Sequence, residues 1–298
     1  MSHTHEHSSY QKLWWVFGLS FFYMIAEIAG GIWSNSLALL ADAGHMAIDT
    51  AGIGLGLFAT WIATKPPTDR KTFGYYRAEI LAALLNGAFL ISASLWIIYE
   101  AWIRFTEPHE VKGQVLSWIA AGGLLVNLMG AKLLHAHSHD SLNLRGVWLH
   151  LLSDLMGSIS AVVAGILVWK WGWTWADPLS SILISFLILV GAWRLVSEAV
   201  HVLLEGVPRE LETKKIKEAF EKVSGVKGVF DLHVWTVSSG LYSLSCHVTI
   251  TENEAYASML KKLNDILERQ FSITHSTIQI EPEGFHREDH HCGALTQK

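Results

Sequence analysis

Two stretches decide how this chain is read: Ala43–Thr50, AGHMAIDT, and Trp148–Leu155, WLHLLSDL, each place a histidine four residues before an aspartate. His45/Asp49 and His150/Asp154 therefore sit one helical turn apart on a shared face, where an imidazole and a carboxylate reach the same point. Both pairs lie inside apolar runs long enough to cross a bilayer. A charged side chain at the bilayer centre costs roughly 2.5–3.5 kcal/mol even on lenient insertion scales, so four ionisable groups in two matched pairs call for a partner. Two neutral imidazoles and two carboxylates around one divalent ion sum to zero charge, and a tetrahedral set of that composition suits Zn2+. One polar residue in such a helix often serves only as glue between helices. The matched repeat is what argues for a metal site.

The composition agrees with a membrane protein that carries a soluble appendage. Of 298 residues 51% are hydrophobic and 16% charged, with 14 Trp, and the charges crowd toward the C-terminal third. Apolar stretches of spanning length run over Leu13–Trp33, Leu37–Ile62, Glu79–Ile103, Val115–Leu134, Leu144–Trp171 and Ala176–Leu204. The first ten residues are polar and the first apolar run is full length, so no cleavable leader is expected. Lys12, Lys65, Arg70, Lys71, Arg77, Lys132, Arg145 and Arg209 fall on one side of the six spans, against Arg104, Lys112 and Lys170 on the other. The excess of basic residues predicts both termini in the cytoplasm. The expected organisation is an N-terminal His-containing tail (1–12), a six-helix transport domain (13–204), a cytoplasmic domain (205–283) and a His/Cys-containing tail (284–298).

Small residues thicken around both motifs, as close helix packing requires. Asp42 lies on the face of His45 and Asp49, where guiding an ion outward, handing off protons and capping the helix are all open. Glu27 and Asn127 are further polar groups within the spans, expected to hydrogen-bond between helices.

Beyond Glu205 the pattern changes to αββαβ: helical spacing in Leu211–Val223 and Glu254–Gln270, strand alternation in Val226–Val237, Leu241–Ile250 and Thr274–Glu281. Leu232, Val234, Leu244, Cys246, Val248, Ile278 and Ile280 alternate inward and leave His233, His247, His275 and Glu281 on the other face. A hairpin centred on Gly240 would set His233 directly opposite His247. These four residues form a second candidate metal site, with a solvated open face as the competing reading. Cys246 reads as core and Cys292 as tail, so no disulfide framework is implied. Three clusters, His3/His5/His7, His135/His137/His139 with Asp140, and His286/His290/His291 with Cys292, are of a kind that binds metals weakly.

The segments SLALLADAGHMAIDT, PPTDRKTFGYYRAEILAALLN, HLLSD, LLEGVP, DLHVW and HSTIQIE resemble the cation diffusion facilitator family, in its zinc-exporting branch of bacterial and animal transporters. The resemblance covers nearly the whole chain. It implies a homodimer of six-helix protomers, each with a cytoplasmic αββαβ domain, exchanging cytoplasmic Zn2+ for protons by alternating access, and it assigns His45, Asp49, His150 and Asp154 to the transport site. Zn2+ is then both transported substrate and regulatory ligand, with Cd2+, Co2+ and Ni2+ as further candidates, the lipid bilayer as setting, a bacterial inner membrane as location and no nucleic acid as partner. Some relatives hold a second ion between the second and third spans with an Asp and two His; Thr68, Lys71 and Tyr75 stand there, so that site is expected to be missing. Arg77 and Glu205 resemble an inter-helix charge pair. An intramembrane metalloprotease would need a general base in an HExxH-type motif, which the chain lacks, so no enzyme is expected. A passive divalent-cation channel is the closer alternative.

Overall fold

The computed structural model describes residues 3–135, 142–238, 240–251 and 255–284, with backbone alone for 3–17, 133–135, 142–151 and 153. The histidine clusters at 3–7, 135–140 and 286–291, with Cys292, lie outside the residues whose side chains are described.

Six long helices come first: α1 (His3–Ser34), α2 (Leu37–Ala63), α3 (Ala78–Thr106), α4 (Gly113–His135), α5 (Leu142–Trp171) and α6 (Ala176–Leu203). The segment expected as a tail before residue 13 instead continues α1 back to His3. Among the described residues five helices, α2 to α6, are long and apolar enough to cross a membrane. Phe22, Leu57, Trp96, Trp118 and Trp193 stand exposed on these helices. That is the reverse of a water-soluble bundle, and it suits a lipid surround.

The chain divides into two compact units, one of residues up to Leu55 with Leu85–Val196, the other of Gly56–Leu84 with the chain from Ser197 onward. In the first unit α4 packs against α5 and α1. Small residues set the spacing: a Cβ on Gly165 would fall 2.6 Å from Ser117 Oγ, and the Tyr23 hydroxyl lies over Gly123 and donates to Ile119 O at 2.7 Å. Asn127 Nδ2 donates to Ser158 Oγ at 3.1 Å, fastening α4 to α5 one turn from Asp154.

The second unit contains the αββαβ domain: α7 (Thr213–Glu221), β1 (Val226–Ser238), β2 (Leu241–Ile250), α8 (Tyr256–Phe271) and β3 (His275–Pro282). The sheet order is β1-β2-β3, with β1 antiparallel and β3 parallel to β2. A parallel neighbour needs a crossover, and α8 supplies it. Ile216 and Phe220 of α7 and Met259, Leu263 and Leu267 of α8 close over Val229, Val234, Leu244, Cys246 and Val248, all 2% exposed or less. The alternation expected for the inward residues holds.

The hairpin register does not. His247 pairs with Phe230 and His233 with Ser245, because irregularities between Phe230 and His233 and between Thr236 and Ser238 each slip the pairing. Asp231 adopts φ 49° at the first of them. Extra residues on one strand displace everything beyond them along the partner, so equal distance from Gly240 does not bring the two histidines together. Near the turn Thr236, Val237 and Ser238 are all buried, and Ser238 Oγ donates to Glu79 Oε2 of α3 at 2.6 Å.

Candidate metal centre

The i,i+4 spacing brings His45 and Asp49 together on α2, with His45 Nε2 3.5 Å from Asp49 Oδ2. The same nitrogen is 3.7 Å from Asp154 Oδ1 on α5. One imidazole thus lies between two carboxylates from two helices, with side chains 13%, 26% and 14% exposed. His150 belongs to α5 one turn before Asp154; its side chain is outside the described residues. Among the described residues no three His, Cys, Asp or Glu side chains are disposed to hold a metal ion. His45, Asp49 and Asp154 form an ion-paired triad, with the His45 nitrogen between the two carboxylates.

The triad faces a cavity of about 600 Å³ whose lining also includes Asp42, Asn86 and Arg194. Three aspartates against one arginine make this volume favourable to cations. Asp42 is 5% exposed on the cavity wall, and since α2 begins five residues earlier, at Leu37, it does not cap that helix. Glu27, 1% exposed, interacts with Asp42 and Tyr23, as expected of a group bonding between helices. A second cavity of about 590 Å³ beside α7 and α8 has Lys215, Lys222 and Glu218 on its wall and no histidine. Its chemistry does not suit a cation.

In the small domain His247 Nδ1 and Glu281 Oε1 are 2.6 Å apart, and Gln279 Nε2 donates to the same oxygen at 2.8 Å. Glu281 is 3% exposed, deeper than an open sheet face implies. His233 Nε2 instead pairs with Asp231 Oδ1 at 3.0 Å, and the His275 ring meets Phe73 edge-on at 5.6 Å. The four residues grouped from strand alternation therefore resolve into one pair and two separate histidines. Nothing in residue spacing signalled Asp231 or Gln279, because the bulge and the parallel β3 pairing are long-range features. Burial pushes the Cys246 thiol up to about 12, which keeps it protonated and out of metal chemistry at neutral pH.

Between α2 and α3, Thr68 and Lys71 form a tight turn with Lys71 N 2.9 Å from Thr68 O, and Lys71 Nζ lies 4.2 Å over the Tyr75 ring. Arg77 Nη2 and Glu205 Oε1 form the expected pair at 3.1 Å.

Residues 13–204 match the transmembrane domain of cation efflux proteins, and residues 208–283 match their cytoplasmic domain. The chain belongs to the cation efflux family. It is 41% identical to the cadmium, cobalt and zinc/H(+)-K(+) antiporter of Bacillus subtilis over 97% of this chain and 94% of that one. It is 38% identical to the zinc transporter ZitB of Escherichia coli, covering 98% and 96% of the two chains. The metal cation efflux system protein CzcD of Cupriavidus metallidurans is 36% identical over 94% of this chain and 89% of its own. As a cation efflux protein the chain is a multi-pass membrane protein with a C-terminal domain of helices and sheet. The His45 triad lies within the matched transmembrane domain, and the His247–Glu281 pair within the matched cytoplasmic one.

Proposed function

We propose that this cation efflux protein exports Zn2+ from the cytoplasm in exchange for protons by alternating access, through a tetrad of His45, Asp49, His150 and Asp154. One observation carries the reading: a single imidazole nitrogen lies between two carboxylates of different helices, within a cavity whose charged groups favour a cation. Neutral imidazoles and ionised carboxylates would neutralise a dication, and protons would take its place when it leaves. Both termini face the cytoplasm of a bacterial cell, in its inner membrane, and two copies associate through the cytoplasmic domain. Cd2+ and Co2+ share the ligand preference closely enough to be carried as well, in line with the names of the relatives. A passive channel would use the same ligands but could not concentrate zinc. Inverted vesicles carrying the protein should accumulate zinc above the outside concentration when their lumen is acid, and only equilibrate if the channel reading is right.

Ligand chemistry makes a selectivity prediction. His45→Asp makes the set three-carboxylate and harder, so Mn2+ should compete with Zn2+ at least about tenfold better than in the parent. Competition by unlabelled Mn2+ in a zinc uptake assay measures it; an unchanged ranking would mean that helix spacing, rather than ligand type, selects the ion.

Zinc also acts on the cytoplasmic domain in this reading, through His247 and Glu281. With the transport site removed by Asp49→Ala and Asp154→Ala, zinc binding to the full-length protein should weaken about tenfold on His247→Ala, the size usual for losing a metal-site group. His233→Ala should leave it unchanged, since His233 is paired with Asp231 away from the pair. Equal loss in both would restore His233 to the site.

A further inference from the structure

The cavity and the layer beyond it point in opposite directions along the bundle. From Asp42 and the triad the cavity wall follows α6 as far as Arg194 and Leu195, toward the C-terminal end of that helix. On the other side of Asp42 the bundle is filled. Leu37 and Leu39 of α2 pack with Ile97 of α3, Leu116 of α4, Ala161 of α5 and Ile184 of α6, none more than 5% exposed. An ion in the tetrad would have open volume on one side and a dry layer on the other.

At the far edge of that layer stands a carboxylate that the transport chemistry does not use. Asp177, in the first turn of α6, is 0% exposed. Its Oδ1 accepts from Ser36 Oγ at 2.5 Å and from Ala38 N at 3.3 Å, and its Oδ2 from Leu37 N at 2.8 Å. Leu37 N and Ala38 N are the first orphan amides of α2; its own cap, Ser36 Oγ, accepts from Leu39 N at 3.3 Å, so Asp177 of α6 takes the amides that Ser36 leaves and holds Ser36 itself. Arg104 of α3 lies 3.9 Å from Asp177 Oδ2, with its side chain 10% exposed. The same guanidinium donates to Asn35 O at 2.7 Å, in the α1–α2 turn. Arg104 Nε also bonds Glu100 Oε1 of α3 at 3.3 Å, so a charged network of Asp177, Arg104 and Glu100 ties α2, α3, α6 and the α1–α2 turn together at the N-terminal end of α6.

We propose that Asp177 is the latch that holds the outward end of the transport pathway shut, and that the cation leaves when this network opens. The inference rests on the orientation given under the proposed function. A neutral cap would suffice for a static tie. A buried Asp–Arg pair is different, because it is stable fully paired in the dry state and fully hydrated in the open state, while a half-broken pair costs most. Such an element favours two end states over intermediates. Asp177 therefore acts on transport as a positioning residue, through the helix that carries His45 and Asp49.

The test reads accessibility from each face. In a protein whose Cys246 and Cys292 have been replaced, Ala41→Cys places a thiol in the closed layer, at a position 0% exposed. A membrane-impermeant maleimide applied from outside should label it slowly. Adding Asp177→Asn should raise that rate about tenfold or more, the scale expected for losing a charge-assisted hydrogen bond. Ser36→Ala, which removes one bond without touching the charge, should raise it by a smaller factor, and it reports on the latch should Asp177→Asn not fold. Unchanged labelling in whichever of the two variants folds would make Asp177 a static cap and overturn the proposal. Asn86→Cys, on the cavity wall, controls for orientation: it should label from the cytoplasmic face only. Labelling of Asn86→Cys from outside alone would put the closed layer at the cytoplasmic end, which overturns the proposal through the orientation it rests on, whereas cytoplasmic labelling of Asn86→Cys with unchanged Ala41→Cys labelling overturns the latch itself.

Discussion

Zinc flux through Asp49→Ala or Asp154→Ala is expected to fall by more than about 100-fold while the protein still reaches the membrane, since losing a mere outer-shell partner of a metal site already costs 10–100-fold. Each aspartate faces the same His45 nitrogen, at 3.5 and 3.7 Å. Removing either leaves a dication with one compensating carboxylate in a low-dielectric interior, where uncompensated charge is most expensive. Folding should survive, because the side chains are 26% and 14% exposed on a cavity wall rather than packed in the apolar layer. Flux measured on purified, reconstituted variants checks the prediction. Near-normal zinc transport by Asp49→Ala would remove the tetrad from the account.

The second large effect concerns pH. A protonated imidazole has no lone pair for zinc, so proton and metal compete at His45 and, in the proposed tetrad, at His150. For an imidazole at the reference pKa of about 6.5, lowering the cytoplasmic-face pH from 7.5 to 5.5 cuts the neutral fraction roughly tenfold. The sign follows: acid on the loading face opposes zinc entry, and acid on the release face promotes zinc departure. Uptake into inverted vesicles should therefore fall by about tenfold when the external pH alone is lowered over that range, and rise when only the lumen is acidified. Uptake that responds equally to acid on either face would mean that the protons act on folding or on the cytoplasmic domain instead.

Much of this architecture was legible in the sequence because it depends on local pattern. The apolar runs matched α2 to α6 to within a few residues, since membrane helices satisfy their backbone internally and their length is set by the bilayer. The inward alternation of Val234, Leu244, Cys246 and Val248 held, because pleat and burial together dictate it. The pairing of His45 with Asp49 likewise follows from one helical turn. What escaped depends on contacts distant in sequence. The slip between Thr236 and Ser238 shifted the β1–β2 register and set His233 against Ser245 instead of His247, and the parallel pairing of β3 brought Glu281 to His247. Asp177 caps a helix that begins 140 residues earlier in the chain, at Leu37. No spacing rule links such positions; only the folded bundle does.

If zinc and protons exchange through one site, measuring both ions at once should show them moving together. Reconstituted protein in proteoliposomes carrying a trapped zinc indicator and a trapped pH dye, with an acid lumen, should accumulate zinc above the external concentration as lumen pH rises. Both signals should vanish together in Asp154→Ala, and a protonophore should abolish the accumulation. Zinc entry that stops at equilibrium, ignores the pH gradient and leaves the dye unmoved would contradict the account and identify a passive pathway.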